Sequence, residues 1–228
     1  MRLVVLKTWA IAAVTLLMLS SVSAPAQAEL IRDDNPYLLL EKVANRTFDR
    51  IGTDRELISA NLDHLRVIIR EEMMPYVDWV YASKRVLGRA LQDTTAEQRQ
   101  EFYAVFRDYL IATYGRAFTA YDESKHTVQF GDARRFNAGS RMVEVNTRVI
   151  EAGTGRPPMR MDFKMRYDND DKIWKAYDLV VEGVSLLNSK QAEVAQVIRQ
   201  RGIDGTIALL REKAAEPIRQ YQEGDDTL

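Results

Sequence analysis

The stretch MRMDFKMRY, residues 159–167, alternates apolar and charged side chains at every position. The apolar positions are Met159, Met161, Phe163, Met165 and Tyr167, and the positions between them are Arg160, Asp162, Lys164 and Arg166. Successive side chains of a β-strand point to opposite faces of the sheet. This two-residue period therefore predicts a strand with one buried and one exposed face.

The segments on both sides of this stretch also have strand character. Residues 141–153 alternate valine with polar side chains, and residues 127–130 form a shorter candidate before them. Residues 173–181, IWKAYDLVV, follow as an apolar run. Glycine, proline and aspartate are concentrated at 153–158 and 168–172, where they predict turns. We therefore predict a meander of four antiparallel strands.

The residues before the meander repeat apolar side chains at three- and four-residue steps, which predicts helices. Asn35-Pro36 places a capping side chain before a proline at the first helical position. Two further helices are predicted over residues 61–76 and 77–88. Thr95 and Gln98 then form a capping box at the start of the longest helix.

Helices return after the meander, over residues 189–201 and 205–216, with a stop at Gly202 between them. Helices, then consecutive strands, then helices indicate an α+β fold. We predict a twisted, antiparallel four-stranded sheet wrapped by helices, shaped like a cone with an apolar cleft. A single domain is predicted over residues 29–220, followed by a disordered tail over 221–228.

Residues 1–28 have the pattern of a secretory signal peptide. Arg2 and Lys7 form a basic start, and residues 9–20 form an apolar core that is short for a membrane span. Ala26-Gln27-Ala28 fits the small-residue cleavage pattern. We expect export with cleavage after Ala28; the alternative is an uncleaved anchor.

The composition excludes several classes of function. The 200 residues after the predicted cleavage carry 33 acidic and 30 basic side chains, which argues against nucleic acid as a partner and against strong adhesion to anionic membranes. The chain has no cysteine, so it is neither a thiol enzyme nor a Cys-ligated metal protein. His64 and His126 lack a metal-ligand spacing. We expect no metal and no cofactor.

Tyr177-Asp178 is the one candidate for acid–base catalysis. A phenol and a carboxylate facing one apolar pocket serve ketosteroid isomerase, which has a cone-shaped α+β fold. Adjacent strand residues point to opposite faces, so the pair could act on one substrate only if a bulge intervenes. An exported isomerase or hydrolase using Asp178 and Tyr177 is therefore the alternative function, and a protein-binding adaptor with a filled core is a third.

The methionine-rich face of residues 159–165 admits two interpretations. Methionine is flexible and polarizable, so such a face adapts to ligands of variable shape, and an acyl chain is one such ligand. The other interpretation is an ordinary core that packs against the long helix. The pattern by itself leaves both open.

Six segments resemble the MlaC family, also known as the toluene-tolerance family of periplasmic phospholipid-binding proteins. In order along the chain they are NPYLLLEKVANRTFDRI, EMMPYVDWVYASKRVLG, QRQEFYAVFRDYLIATYGRAF, GRPPMRMDFKMRY, WKAYDLVVEGVSLL and RGIDGTIALL. The combination of GRPP, W-x-A-Y-D and EGVS is the most specific part of the resemblance. Residues 131–140 and the C-terminal tail match least.

The resemblance implies a periplasmic carrier, an auxiliary component of an ABC transporter system. Such a carrier takes phospholipid between an outer-membrane lipoprotein complex, MlaA with a porin, and an inner-membrane ABC transporter complex with an MlaD-type subunit. It maintains the lipid asymmetry of the outer membrane, with phospholipid as cargo. The family supplies no catalytic motif, so the residues that contact acyl tails are predicted from pattern. They are Val143, Val145, Val149, Met159, Met161, Phe163, Met165, Tyr109, Tyr114, Phe118, Val77 and Val80.

Overall fold

A computed structural model describes residues 29–222 of the chain. The predicted signal peptide and its cleavage site, together with residues 223–228 of the predicted tail, lie outside the described residues. The fold is of the α+β class, as predicted: the described chain has one antiparallel sheet, with helices before and after it in the sequence. None of the described helices is long and apolar enough to cross a membrane.

The described sheet has five strands in the order in which they occur along the chain. They are β1 (His126–Phe130), β2 (Met142–Glu151), β3 (Met159–Asp168), β4 (Ile173–Val181) and β5 (Val184–Ser185). The predicted count of four is therefore wrong by one short strand. The turn Glu182-Gly183 has φ values of 48° and 84°, the left-handed conformations of a two-residue hairpin turn, and this turn folds β5 back onto β4.

Six α-helices surround this sheet in the described chain. They are α1 (Pro36–Thr53), α2 (Arg55–Ala60), α3 (His64–Ile68), α4 (Trp79–Leu87), α5 (Ala96–Phe118) and α6 (Leu186–Ala215). The side chain of Asn35 caps α1 at the backbone N–H of Tyr37, and Thr95 with Gln98 forms a reciprocal capping box on α5. Both predicted helix starts are confirmed.

The single helix predicted over residues 61–76 is wrong. A short α3 passes into a π-helical turn, Ile69–Met73, and then a 3-10 turn, Met74–Tyr76. Pro75 explains the change, because its ring clashes with the carbonyl four residues earlier and it donates no backbone hydrogen bond. The wider π turn keeps the chain helical up to the proline.

The C-terminal helix starts earlier than predicted. Ser185, rather than a residue near Ser189, caps α6, with its side chain accepting from the N–H of Asn188. The predicted stop at Gly202 is confirmed: its backbone is non-helical, at φ 69° and ψ 179°, and α6 consists of two helical halves that meet at a kink there. The two halves run along α5, which brings the Gln98 side chain within 2.8 Å of the Asp204 carboxylate.

The buried apolar residues form separate clusters. One lies among α4, α5 and both halves of α6, and contains Phe102, Phe106 and Leu210. A second lies between the sheet and the first half of α1. Two smaller clusters join α3, the π turn and α5. Because α1 crosses one face of the sheet, the packing between α1 and the strands determines whether that face is filled.

Candidate functional site

One face of the sheet, here called the α1 face, carries the apolar side chains of neighbouring strands in register. Across β2 and β3, Val143 pairs with Met165, Val145 with Phe163, Thr147 with Met161 and Val149 with Met159. On the flanking strands, Val128 of β1 pairs with Val149, and Val181 of β4 pairs with Met161. The predicted alternation thus builds a continuous apolar surface across four strands.

One end of the α1 face is closed by protein side chains. Tyr37, Leu39 and Val43 of α1 pack there with Met165 and Trp174. The Tyr37 hydroxyl donates to the carbonyl of Glu144 at 3.1 Å, and the Trp174 indole donates to the carbonyl of Asp34 at 2.9 Å. These bonds fix the start of α1 against the sheet. We call this the closed end.

The other end of the α1 face lies beside the β2–β3 and β4–β5 turns, and we call it the hairpin end. Val128, Val149, Met161 and Val181 are only partly buried there, and Met159 is 41% exposed. Within the described chain, none of these five side chains belongs to or packs against a buried apolar cluster. The hairpin end is therefore an apolar surface that the core does not fill.

Aromatic side chains hold the far end of α1 at the margin of this surface. The Phe48 ring of α1 stacks on Tyr121 at 4.6 Å, and Tyr121 stacks on His126 of β1 at 6.0 Å. Phe118 of α5 lies 6.2 Å from Phe48. Burial raises the pKa of the Tyr121 phenol, with a further contribution from nearby acidic side chains. These rings connect α1 and α5 to the first strand of the sheet and form one boundary of the unfilled surface.

The structure brings together only part of the predicted tail-binding set. Val149, Met159 and Met161 lie at the hairpin end. Val143 and Phe163 are partly buried beside the closed-end cluster, while Val145 and Met165 lie inside it, at 0% and 1% exposed.

The five predicted residues from the helical part of the chain are dispersed. Tyr114, Phe118 and Val77 are partly buried against a cluster of α5 and the π turn. Val80 packs against the helical core, and Tyr109 lies inside that core, with its hydroxyl 2.9 Å from the Lys190 ammonium. Tyr109 is therefore not grouped with the α1 face.

Sequence reasoning missed Val128, Val181, Phe48 and Tyr121 as residues at this surface. Val128 was in a predicted strand and Phe48 was in a predicted helix, but neither pattern showed which face would stay unfilled. The register of strand pairing is what identifies Val128 and Val181 as residues of this surface, because it places them opposite Val149 and Met161.

A β-bulge at Tyr177 changes the relation between Tyr177 and Asp178. Lys164 pairs with Asp178 while Met165 pairs with Ala176, so Tyr177 is the extra residue. Both side chains contact the helical layer, Tyr177 through its ring on Tyr81 at 5.1 Å and Asp178 at the start of α6. The bulge that the sequence analysis named as the exception to opposite-facing side chains is therefore present.

Asp178 is nevertheless fully occupied by structural contacts. Its Oδ1 accepts the backbone N–H of Leu187 at 3.0 Å, and its Oδ2 accepts the Ser185 hydroxyl at 2.7 Å. The Lys164 ammonium is 3.3 Å from the same Oδ2. Burial raises the pKa of the Tyr177 phenol, which disfavours the phenolate. The carboxylate therefore anchors the first turn of α6 to β4.

Both histidines make local structural contacts. His64 Nε2 is 2.7 Å from Asp54 Oδ2, and His126 Nδ1 accepts the backbone N–H of Asp122 at 3.0 Å. Burial acts to raise the pKa of Asp54, but hydrogen bonds from His64 and Arg50 outweigh it and leave that pKa below its usual value. Among residues 29–222 there is no group of three side chains suited to hold a metal ion.

The family model described as MlaC protein matches residues 41–212. The chain belongs to the MlaC family. A curated relative from Haemophilus influenzae, the intermembrane phospholipid transport system binding protein MlaC, is 30% identical over 218 residues, which are 96% of this chain and 98% of the relative.

A solved structure shares the MlaC-type fold. It is a phospholipid-binding protein from Ralstonia solanacearum in complex with a phospholipid. The TM-score is 0.68 at 24% identity, covering 80% of this chain and 97% of that chain. At this identity the likeness concerns the arrangement of sheet and helices.

Proposed function

We propose that the protein is a phospholipid carrier and that acyl tails of its cargo occupy the hairpin end of the α1 face. The observation that carries the proposal is the row of partly exposed apolar side chains at Val128, Val149, Met161 and Val181, which no cluster of the described core fills. Membership of the MlaC family and the name of the Haemophilus influenzae relative support it.

The energetics of acyl chains explain why such a surface suits a carrier. Each methylene removed from water contributes about 0.8 kcal/mol, so a sixteen-carbon chain contributes on the order of 12 kcal/mol. A lipid without a carrier therefore crosses water slowly. Because the bilayer offers the same apolar environment, a carrier needs only a cleft of similar polarity to exchange lipid in both directions.

The tail-contacting residues in this proposal are those at the hairpin end, with Met161 and Val149 at its centre. Phe118 of α5 and Phe48 of α1, whose ring centroids lie 6.2 Å apart, form the opposite wall. Val145 and Met165, which are buried, support the floor of the cleft at its closed end. The proposal requires no metal or organic cofactor, and the phospholipid itself is the cargo.

The proposed place of action is the periplasm, after removal of the signal peptide at Ala28. The partners would be an outer-membrane lipoprotein complex, MlaA with a porin, and an inner-membrane ABC transporter complex that receives the carrier through an MlaD-type subunit. The carrier would then maintain the lipid asymmetry of the outer membrane. The name of the Haemophilus influenzae relative, which specifies intermembrane phospholipid transport, supports this assignment.

Solvent extraction and mass spectrometry of the natively purified protein test the proposal. We expect co-purified phospholipid, and we expect Met161→Asp to lose it while the protein stays folded. Met142→Asp is the matched control, because Met142 is 53% exposed on the same sheet but points to the opposite face. Folded wild-type protein without lipid would refute the carrier, and a Met161→Asp variant that retains lipid would refute the hairpin end as the site of the acyl tails.

A further inference from the structure

Arg116, in the last turn of α5, is a buried cation without a counterion in the described chain. The residue is 3% exposed, and its Nε and Nη1 atoms have no hydrogen-bond partner. Its Nη2 atom donates to the Thr113 hydroxyl at 3.3 Å. No carboxylate among residues 29–222 lies within ion-pair distance of this guanidinium.

The position of Arg116 compensates its charge only in part. The C-terminal end of a helix carries partial negative charge, which attracts a cation. It supplies no acceptor to Nε and Nη1, however, and a buried charge without a partner is strongly unfavourable. Because a guanidinium stays protonated and has only donors, the group that satisfies it is an anion with acceptor oxygens.

The residues 216–222, here called the C-terminal strap, lie along α3 and α5. Ile218 is 6% exposed and packs with Leu65. Its Cδ1 lies 2.7 Å from the point where a Cβ on Gly115 would stand. The backbone N–H of Ile218 also donates to the Asp63 carboxylate at 3.0 Å. The missing side chain at Gly115 therefore gives the strap room to lie directly on α5.

The end of the C-terminal strap lies beside Arg116. The backbone N–H of Tyr221 donates to the Thr119 hydroxyl at 2.8 Å, and this hydroxyl donates to the carbonyl of Arg116 at 2.7 Å. The next residues, 223–228, have the sequence EGDDTL, and we call them the acidic segment. Since a chain advances up to about 3.5 Å per residue, carboxyl groups two to five positions after Tyr221 can reach the last turn of α5.

We propose that a carboxylate of the acidic segment, from Glu223, Asp225 or Asp226, is the counterion of Arg116 and holds the C-terminal strap on α5. A charge-assisted hydrogen bond from a guanidinium to a carboxylate is among the strongest that side chains make. The strap brings the acidic segment to the site, which gives its carboxylates a high effective concentration there. A free anion lacks this advantage.

The C-terminal strap also supports one wall of the proposed cleft. Ile218 of the strap and Leu65 of α3 belong to a buried cluster against which Phe118 packs. Phe118 and Phe48 form the wall opposite the hairpin end. A strap held by Arg116 therefore keeps this wall in place, and its release loosens the wall. This consequence rests on the proposed carrier function, whereas the pairing with Arg116 does not.

Hydrogen exchange at the Ile218 and Tyr221 amides of the folded protein tests the pairing. The acidic segment is neutralised by three changes, Glu223→Gln, Asp225→Asn and Asp226→Asn. These changes should accelerate exchange at both amides about tenfold, because the strap opens more often. Arg116→Met should have the same effect, and adding it to the three changes should accelerate exchange no further.

Two controls separate this pair from other charges. Three exposed carboxyl groups elsewhere are neutralised together, by Glu56→Gln, Asp93→Asn and Asp170→Asn, and should leave the exchange at both amides unchanged. Arg219→Met removes an exposed arginine of the strap itself. Independent, additive effects of Arg116→Met and the neutralised acidic segment overturn the proposal. So does an effect of the acidic segment that disappears with Arg219→Met and persists with Arg116→Met.

An acidic segment whose neutralisation has no effect also overturns the pairing, and assigns Arg116 to an anion from outside the chain. Extracted lipid is measured in the same samples. Coupled effects on exchange without any lipid in the wild type support the pairing and contradict the carrier. Lipid in the wild type with uncoupled exchange leaves the carrier intact and contradicts the pairing.

Discussion

Met161 and Met165 lie on the same face of β3, four residues apart, but protein side chains enclose only Met165. Met165 is 1% exposed and packs with Trp174 and Tyr37 at the closed end. Met161 is partly exposed and packs against no buried cluster of the described residues. The boundary between filled core and proposed cleft therefore passes between two methionines of one strand.

The two methionines should respond differently to truncation. Met165→Ala should lower the free energy of unfolding by about 2–5 kcal/mol, because it leaves a cavity in packed core. Met161→Ala should cost much less stability, since protein atoms surround it only in part. Urea unfolding of lipid-free protein measures both effects. Equal losses of stability would show that the hairpin end is packed like the closed end.

Glu72 should be the acidic side chain on which the position of α1 depends most. It is 3% exposed, and its carboxylate lies 2.5 Å from Arg46 and 3.5 Å from Arg50, both on α1. Glu72→Gln should reduce the free energy of unfolding by about 3 kcal/mol, because it leaves two arginines without their buried partner. The neighbouring Glu71→Gln is the control and should cost about 0–1 kcal/mol, since Glu71 is exposed. Chemical denaturation of both variants checks the difference.

Asp178→Asn distinguishes a structural carboxylate from a catalytic one. Its two oxygens accept hydrogen bonds from Leu187 and Ser185, and an amide can satisfy only one of these donors. We expect a loss of about 1–3 kcal/mol in stability with co-purified lipid unchanged. Thermal unfolding and lipid extraction provide the two readouts. Unchanged stability would contradict the anchoring role at α6.

Acid should weaken the attachment of the C-terminal segment through Asp63. The backbone N–H of Ile218 donates to the Asp63 carboxylate at 3.0 Å. This hydrogen bond, together with the one from Arg66, holds the pKa of Asp63 below its usual value, although burial acts to raise it. A lowered folded pKa contributes stability that is complete above the unfolded value of about 3.9 and is lost as pH falls through the folded pKa.

The stability difference between wild type and Asp63→Asn should therefore be constant near neutral pH and shrink below about pH 4. Urea unfolding at a series of pH values measures it. A difference that persists unchanged in acid would show that the Ile218 and Arg66 contacts do not depend on the charge of Asp63.

Local patterns predicted most of the secondary structure because they depend on neighbours in the chain. The alternation of residues 159–167 predicted β3, and Thr95 with Gln98 predicted the start of α5. The predictions failed where distant contacts or backbone strain decide the outcome. The bulge at Tyr177, the π turn before Pro75 and the two-residue β5 have weak local signals, because each depends on pairing or packing across the fold.

The sequence alone determined the α+β class, the meander and an apolar face on β3, and its motifs resembled those of the MlaC family, to which the chain belongs. Only the tertiary structure decided which part of that face is core. The residues of β3 have the same alternation from Met159 to Met165, but α1 lies close to the strands at one end and is held at the margin by Phe48 and Tyr121 at the other. A two-residue period specifies which face of β3 is apolar. The contacts of α1, which lies more than 100 residues before β3 in the chain, decide where that face stays uncovered.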